Sequence, residues 1–378
     1  MDRRNFIRLA GGGVVLAAAP LAGCAEPPDP TAAWVSPGSS ERDIRKYTLA
    51  HALLAPNPHN RQPWLARLDD AGGMSLSVDR DRLLPATDPF SRQIIVGCGA
   101  FLELLAISAT LKGQTAVITP FPAGEPGEQL DDRPFATVTF TPGAQPDPLF
   151  RHMLRRRTSR DPFEDRQPPA ADIEAILAAA AAPGLRTGAS TAQSLQAFRT
   201  LTTEAFHQEV DTPAANQESV DLMRIGAAEV SAWRDGIALT GFPIEAMKTV
   251  GLISRKALAT PGSSAFKQAR AYADPLNASA PAFAWIISQG NERATQIAAG
   301  RAYARMNLEA TARGLSMQPM SQALQEYPEM APFKTRMDSL TATAPDERLQ
   351  MLVRIGYAPD RPPAPRRGLH AVLTGAQI

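Results

Sequence analysis

Ile107-Ser-Ala-Thr-Leu-Lys-Gly113 returns later in the chain as Leu308-Glu-Ala-Thr-Ala-Arg-Gly314, with Ala, Thr and the closing Gly in register. In each copy a second glycine stands fourteen steps upstream, at Gly99 and Gly300. Each segment reads as a helix stopped by glycine. Each is followed, after a loop of different length, by a strand-like run, Phe135 to Phe140 and Met351 to Ile355. The pattern predicts an internal duplication with halves 44–142 and 143–378, jointed in the Pro- and Gly-containing stretch Thr141 to Asp147. Trp64 to Leu68, Ser75 to Val78 and Ala284 to Ile287 read as further strands, so the expected class is α+β. The second half is longer, which predicts a helical insertion at about 170–272.

Composition narrows the function classes. A formal charge of +1 supplies no field for nucleic acid or a membrane surface, so any cation site is local. With 44% hydrophobic residues the chain can bury a large core, and its 34 prolines point to defined loops around it. No pair of the five histidines has metal-ligand spacing, and neither a nucleophile elbow nor a phosphate-binding glycine loop occurs. His51, His152, His207 and His370 read as surface or packing residues. The run Asp79-Arg-Asp-Arg82, with Asp88 beyond, lacks the pattern of a calcium loop and reads as a solvated strand end.

The N-terminus reads as an address. Arg3 and Arg4 precede an apolar run from Leu9 to Leu21, a pattern similar to a twin-arginine export signal over 1–23. The run is short for a membrane span. Leu21-Ala-Gly-Cys24 resembles a lipobox, which would make Cys24 a lipidated first residue, with 24–43 as a tether. The expected location is the periplasm or cell envelope, reached through the twin-arginine machinery and held by a lipid anchor. Cys98, the other cysteine, lies in an apolar run and reads as core packing.

Three segments carry residue types that packing does not explain. Arg155-Arg-Arg-Thr-Ser-Arg160 sets permanently charged donor forks beside two hydroxyls, which suits a phosphate better than a carboxylate. Ala55-Pro-Asn-Pro-His-Asn-Arg-Gln-Pro-Trp64 is a proline-stiffened loop presenting Asn57, His59, Asn60 and Gln62. Pro363-Ala-Pro-Arg366-Arg367 places two more arginines on a stiff segment behind a strand.

Together these pieces resemble the nitroreductase family of FMN-binding oxidoreductases, above all its Acg-like branch, in which one chain mimics the usual dimer. The resemblance runs roughly from Leu49 to Leu373. It implies a nitroreductase-like fold and FMN as cofactor. An arm of the form R-R-S/T-x-R falls on Arg156, Arg157, Thr158, Ser159 and Arg160, with Arg155 a solvated neighbour. A loop of the form P-S-x-x-N-x-Q-P-W falls on Pro56, Asn57, Pro58, His59, Asn60 and Gln62. A terminal basic pair falls on Arg366 and Arg367, and the stretch near the ring's reactive edge on Gly314, Leu315 and Gln318. Asn57 replaces the usual serine, and Phe163 comes one residue late, behind Pro162.

The first half has the loop without the arm, and the second has the arm without the loop. One FMN per chain is therefore expected between the halves, with no homodimer needed to build the site. FMN performs the electron chemistry, so no side chain is assigned as acid, base or nucleophile. The expected function is an oxidoreductase passing electrons to a small acceptor such as a nitroaromatic or quinone. Its donor is left open among a quinol, a partner protein and NAD(P)H. The alternative is a flavin-sequestering protein under a lid, with Trp233 to Gly236 and Gly241 to Pro243 as mobile points.

Overall fold

The computed structural model describes residues 29–375. The export signal and the Cys24 lipidation site lie outside the described residues.

The first half runs α1 (Ile44–Ala52), β1 (Trp64–Leu68), β2 (Met74–Val78), α2 (Arg92–Thr110), β3 (Gln114–Pro120) and β4 (Ala136–Pro142). The second starts with α3 (Ala170–Ala179) and β5 (Leu185–Ala189). A long excursion follows: α4 (Leu195–Asp211), α5 (Pro213–Asp221), β6 (Met223–Ile225), α6 (Ala227–Trp233), β7 (Ile237–Leu239), α7 (Phe242–Thr249), α8 (Arg255–Ala259), α9 (Ser264–Ala271) and α10 (Ala273–Ala278). The chain then resumes as β8 (Ala282–Gln289), α11 (Arg293–Ala312), β9 (Ser316–Pro319), α12 (Ala331–Leu340) and β10 (Glu347–Gly356).

The two main sheets have one topology. Their orders are β1-β2-β4-β3 and β5-β8-β10-β9, with every neighbouring pair antiparallel. Matching β1 with β5, β2 with β8, α2 with α11, β3 with β9 and β4 with β10 superposes the two orders, so the halves repeat a single α+β plan. The expected insertion boundary is corrected by this match. α3 and β5 belong to the repeat, because β5 is the edge strand paired with β8, and the excursion occupies 190–281.

The halves meet through α2 and α11. α2 is apolar and long enough to cross a membrane by composition, yet it is buried on all sides, from Ile94 to Ala109, as the central helix of the core. Asp88 starts it by accepting from the backbone N–H groups of Gln93 (3.1 Å) and Ile94 (2.9 Å), which assigns that carboxylate to capping. A Cβ on Gly99 would lie 2.2 Å from the carbonyl oxygen of Ile297, and one on Gly300 2.0 Å from that of Val96. Each glycine thus faces the backbone three residues before its counterpart, as a two-fold relation between the helices requires. Glu103, buried on α2, ties the crossing by accepting from Arg301 (2.7 Å) and Arg305 (2.8 Å) of α11. Cys98 is buried in the same core, and burial pushes its thiol far above its ordinary value.

The second half is stitched into the first at its end. Beyond β10 the chain crosses back so that Ala66 on β1 donates to the Val372 carbonyl (2.8 Å) and accepts from the Thr374 N–H (2.9 Å), extending the first sheet. That crossing carries Arg366 and Arg367 from one half to the other.

Candidate functional site

Loop 55–64 rests on α2, where Gly97 admits Asn57 and Pro58, each 3.2 Å from the place a Cβ would occupy. Its prolines limit it to one 3₁₀ turn, Pro58–Asn60, and His59, Asn60 and Gln62 all adopt positive φ, at 46°, 52° and 51°. Such conformations cost about 1–3 kcal/mol each for residues with a side chain, so the loop must be over-determined by bonds. Asn57 accepts from the Gln62 N–H (2.7 Å) and donates to the Ala55 carbonyl (3.0 Å), bracing the loop across its width. Gln62, fully buried, donates to the Arg234 carbonyl (2.9 Å) and accepts from the Arg367 N–H (2.8 Å). Asn60 donates to the Pro365 carbonyl (3.0 Å) and accepts from Arg366 Nη1 (2.5 Å). The amides expected to read a heterocycle are thus spent on the protein itself. His59 differs: its buried Nδ1 has no protein partner. Burial, then the Arg160 and Arg61 charges, lower its pKa to about 4, so the ring is neutral.

The arginine arm meets this loop through the C-terminal segment. Arg156 is 2% exposed and Arg366 4% exposed, and both donate to the Leu54 carbonyl, at 3.2 and 3.3 Å. Arg156 Nε and Nη1 and Arg366 Nε are buried without a partner, as is Ser159 Oγ. Arg157 is half-buried and bonded to the carbonyls of Leu154 (2.7 Å) and Arg361 (3.0 Å). Burial first, with the Arg157 charge for Arg156 and the Arg156 and Arg157 charges for Arg366, pushes Arg156 down to about 10 and Arg366 to about 9. None of these three guanidinium groups has a carboxylate within ion-pair distance among the described residues. Buried charge without compensation costs several kcal/mol, and an anion accepting from the converging donors removes that cost.

The other expected residues take supporting places. Arg160 is exposed at the arm's end, near His59, and Arg155 is exposed as expected. Thr158 forms a parallel bridge with Met317, and the Ser159 N–H donates to the Met317 carbonyl (3.2 Å), which seats the arm on the edge of the second sheet. Gln318 accepts from Arg354 Nε (2.7 Å). Arg354, absent from the sequence expectation and fully buried, also donates to the Asp161 carbonyl (2.7 Å) and lies 4.1 Å from the Phe163 ring centre. It holds the exit of the arm at Asp161 and Phe163. Gly314, at φ 69°, stops α11, and Leu315 packs in the second half's core with Met317. Arg367 donates to the Gln62 carbonyl (2.7 Å) and faces Asp79 (3.9 Å), so its guanidinium joins the carboxylates of the 79–82 run and not the Arg156 and Arg366 pair.

Two expectations are corrected here. The run Asp79 to Arg82 is not merely solvated: Arg82 is clamped between Asp79 (3.0 Å) and the buried Asp235 (2.6 Å), and Asp235 also binds Arg224 (2.8 Å). Asp235 and its neighbours come from the excursion, so this ion cluster pins the expected lid to the loop, together with the bond from the Gly236 N–H to the Asn60 carbonyl (3.2 Å). The tether is corrected over part of its described stretch: residues 30–34 are bonded to the protein, with Trp34 buried. Trp34 is 7% exposed, and the Pro30 carbonyl accepts from the Arg366 N–H (2.9 Å). Aromatic burial was the only available signal for Trp34, and a single Trp in a Pro- and Ser-rich stretch gives it weakly.

A family model described as the nitroreductase family matches residues 153–357. The protein Rv3127 of Mycobacterium tuberculosis is 36% identical over 116 residues, 30% of this chain and 33% of its own length. The acg protein of the same organism, a candidate NAD(P)H nitroreductase by name, is 34% identical over 135 residues, 35% of this chain and 38% of its own. These matches span little more than a third of either relative. Rv3131, also a candidate NAD(P)H nitroreductase by name, aligns more broadly, at 28% identity over 86% of this chain and 89% of its own. Among solved structures, the FMN-dependent nitroreductase NfnB from Mycobacterium smegmatis has 18% identity and a TM-score of 0.38 over 60% of this chain and 97% of its own. With more than half of its residues matched by the family model, from the arginine arm to the end of β10, the chain belongs to the nitroreductase family.

Proposed function

We propose that the chain is an FMN-dependent oxidoreductase that binds one flavin per chain between its halves and passes electrons to a small acceptor such as a nitroaromatic or quinone. The observation that supports this most is the convergence of buried Arg156 and Arg366, unpaired by any described carboxylate, beside the unpartnered Ser159 Oγ. A phosphate monoester fits that donor set, because each charge-assisted bond contributes about 1.5–3 kcal/mol and the dianion cancels the buried charge. When bound, FMN supplies the electron chemistry.

The chain's own residues bind and orient. Arg156 and Arg366 hold the phosphate, with Arg157 and Arg160 at its edge. Neutral His59 offers Nδ1 from the loop toward the rest of the cofactor. Arg354 fixes the arm, and Gln62 fixes the loop against both the C-terminal segment and the excursion. The names of the relatives favour a nicotinamide donor. We also propose export through the twin-arginine pathway with a lipid on Cys24, and in that location a quinol or partner protein would replace the cytoplasmic nicotinamide.

A second reading, flavin sequestration with little turnover, is favoured by the lid contacts of Arg234 and Gly236 with the loop. One set of measurements separates the readings. The purified chain is expected to show a flavin absorption spectrum at one equivalent, and replacing both Arg156 and Arg366 by Ala is expected to abolish it. A flavin-free wild type, or retention in the double variant, defeats the proposal. Anaerobic mixing with NADPH and with a quinol analogue then identifies the donor, and failure of both to bleach the flavin selects sequestration. For location, Cys24→Ser is expected to move the protein from the membrane to the soluble fraction.

A further inference from the structure

Residues 29–35 fold back onto the arginine cluster as a strap. Asp29 Oδ1 accepts from the N–H and hydroxyl of Thr31 (2.8 and 2.7 Å), and a single 3₁₀ turn, Ala32–Trp34, delivers the Trp34 side chain inward. The strap is bonded to the C-terminal segment on both sides of Pro365. Trp34 Nε1 donates to the Ala364 carbonyl (2.8 Å), and the Pro30 carbonyl accepts from the Arg366 N–H (2.9 Å). The indole is thereby fixed with its centre 4.8 Å from the Arg157 guanidinium carbon, 5.4 Å from that of Arg366 and 5.9 Å from that of Arg156.

Three like charges converging in a desolvated place repel one another. An aromatic face is an uncharged surface that attracts each of them without consuming their N–H donors. A carboxylate in the same position would pair with the arginines and compete with a ligand. Trp34 leaves the donors free, which agrees with the unpartnered Nε atoms of Arg156 and Arg366.

We infer that Trp34 is a positioning residue of the anion site, and that the strap 29–35 is an integral part of phosphate recognition. The inference rests on the reading of Arg156 and Arg366 as phosphate binders. Its signature is selectivity. The indole acts on the arginines and not on the rest of the flavin, so its loss weakens FMN and spares riboflavin, which lacks the phosphate.

The test measures dissociation constants of FMN and riboflavin for the full chain and for Trp34→Leu, Trp34→Phe, Arg156→Ala and Arg366→Ala. Trp34→Leu keeps apolar bulk and removes the aromatic face. It is expected to weaken FMN by about 10-fold or more, which is about 1.4 kcal/mol, with riboflavin changed less than about 2-fold. Trp34→Phe is expected to recover most of the FMN affinity. Equal loss of FMN and riboflavin in Trp34→Leu, or wild-type FMN binding by that variant, overturns the strap's role. If Arg156→Ala and Arg366→Ala also bind FMN normally, the phosphate-site reading itself fails. If only they lose FMN, that reading stands and the Trp34 inference falls. Should Trp34→Leu not fold, Trp34→Phe decides alone: it must keep FMN tighter than riboflavin by nearly the wild-type ratio.

Discussion

The two halves share a strand order and a central helix, yet they handle the segment between their first two strands in opposite ways. In the first half, β1 and β2 are joined by a short hairpin. In the second, the equivalent β5 and β8 are separated by residues 190–281. The economical half supplies the rigid wall of the site, loop 55–64 on α2. The expanded half supplies the arm, the C-terminal arginines and the cover pinned by Asp235. The difference teaches that the two copies share the α2–α11 interface while their edges differ, each contributing unlike parts to the candidate site.

The shared interface is where the largest effect is expected. Gly300→Leu would drive a side chain into the Val96 carbonyl, already 2.0 Å from an ideal Cβ, and should leave no soluble folded chain. A folded variant, judged by circular dichroism and gel filtration, would break the symmetric crossing. Next, Asp235→Ala strands Arg224 and leaves Arg82 with Asp79 alone, and it should cost about 3 kcal/mol in denaturant titrations if the excursion is cooperative with the first half. A separate early transition would mark the cover as an independent unit.

Two buried groups, one in each half, should also respond to pH with opposite signs. Glu209 on α4, buried against Gln325 (2.6 Å), has its pKa raised to about 7, by burial first of all. Its folded value exceeds its unfolded one, so the associated stability is present below about pH 4.5 and lost as pH rises through about 7. Glu209→Gln should therefore stabilise the chain at pH 8 by up to about 3 kcal/mol and change little at pH 4.5. His59, lowered to about 4, gives the reverse: stability present above about pH 6.5 and lost as pH falls through about 4, a slope that His59→Asn should flatten. Equal slopes in wild type and variants would contradict both assignments. The smallest effect sharpens the duplication: Gly113→Ala and Gly314→Ala, at φ 67° and 69° with open space around both, should each cost about 1 kcal/mol, and by the same amount.

Much of this was legible in the residues. Helices ending before Gly113 and Gly314 and strands near Phe135 and Met351 follow from local pattern, because propensity and periodicity act over a few residues. The arginine arm and the terminal pair were legible as chemistry. The limits of the insertion were not, since α3 and β5 look like any helix and strand until β5 is seen to pair with β8. Nor were Trp34, Arg354 and Asp235, whose partners lie hundreds or tens of positions away in the chain.

The sequence by itself determined that the chain is a doubled α+β plan carrying arginines on two stiff segments, because repeat, charge and proline are written residue by residue. Tertiary structure decided which polar groups remain free. Asn57, Asn60 and Gln62 were consumed in holding strained backbone, while Arg156, Arg366, Ser159 and His59 kept unpartnered atoms. The reason is physical: whether a buried donor is spent or available depends on what packs within about 3 Å of it, and that is settled only when distant segments meet.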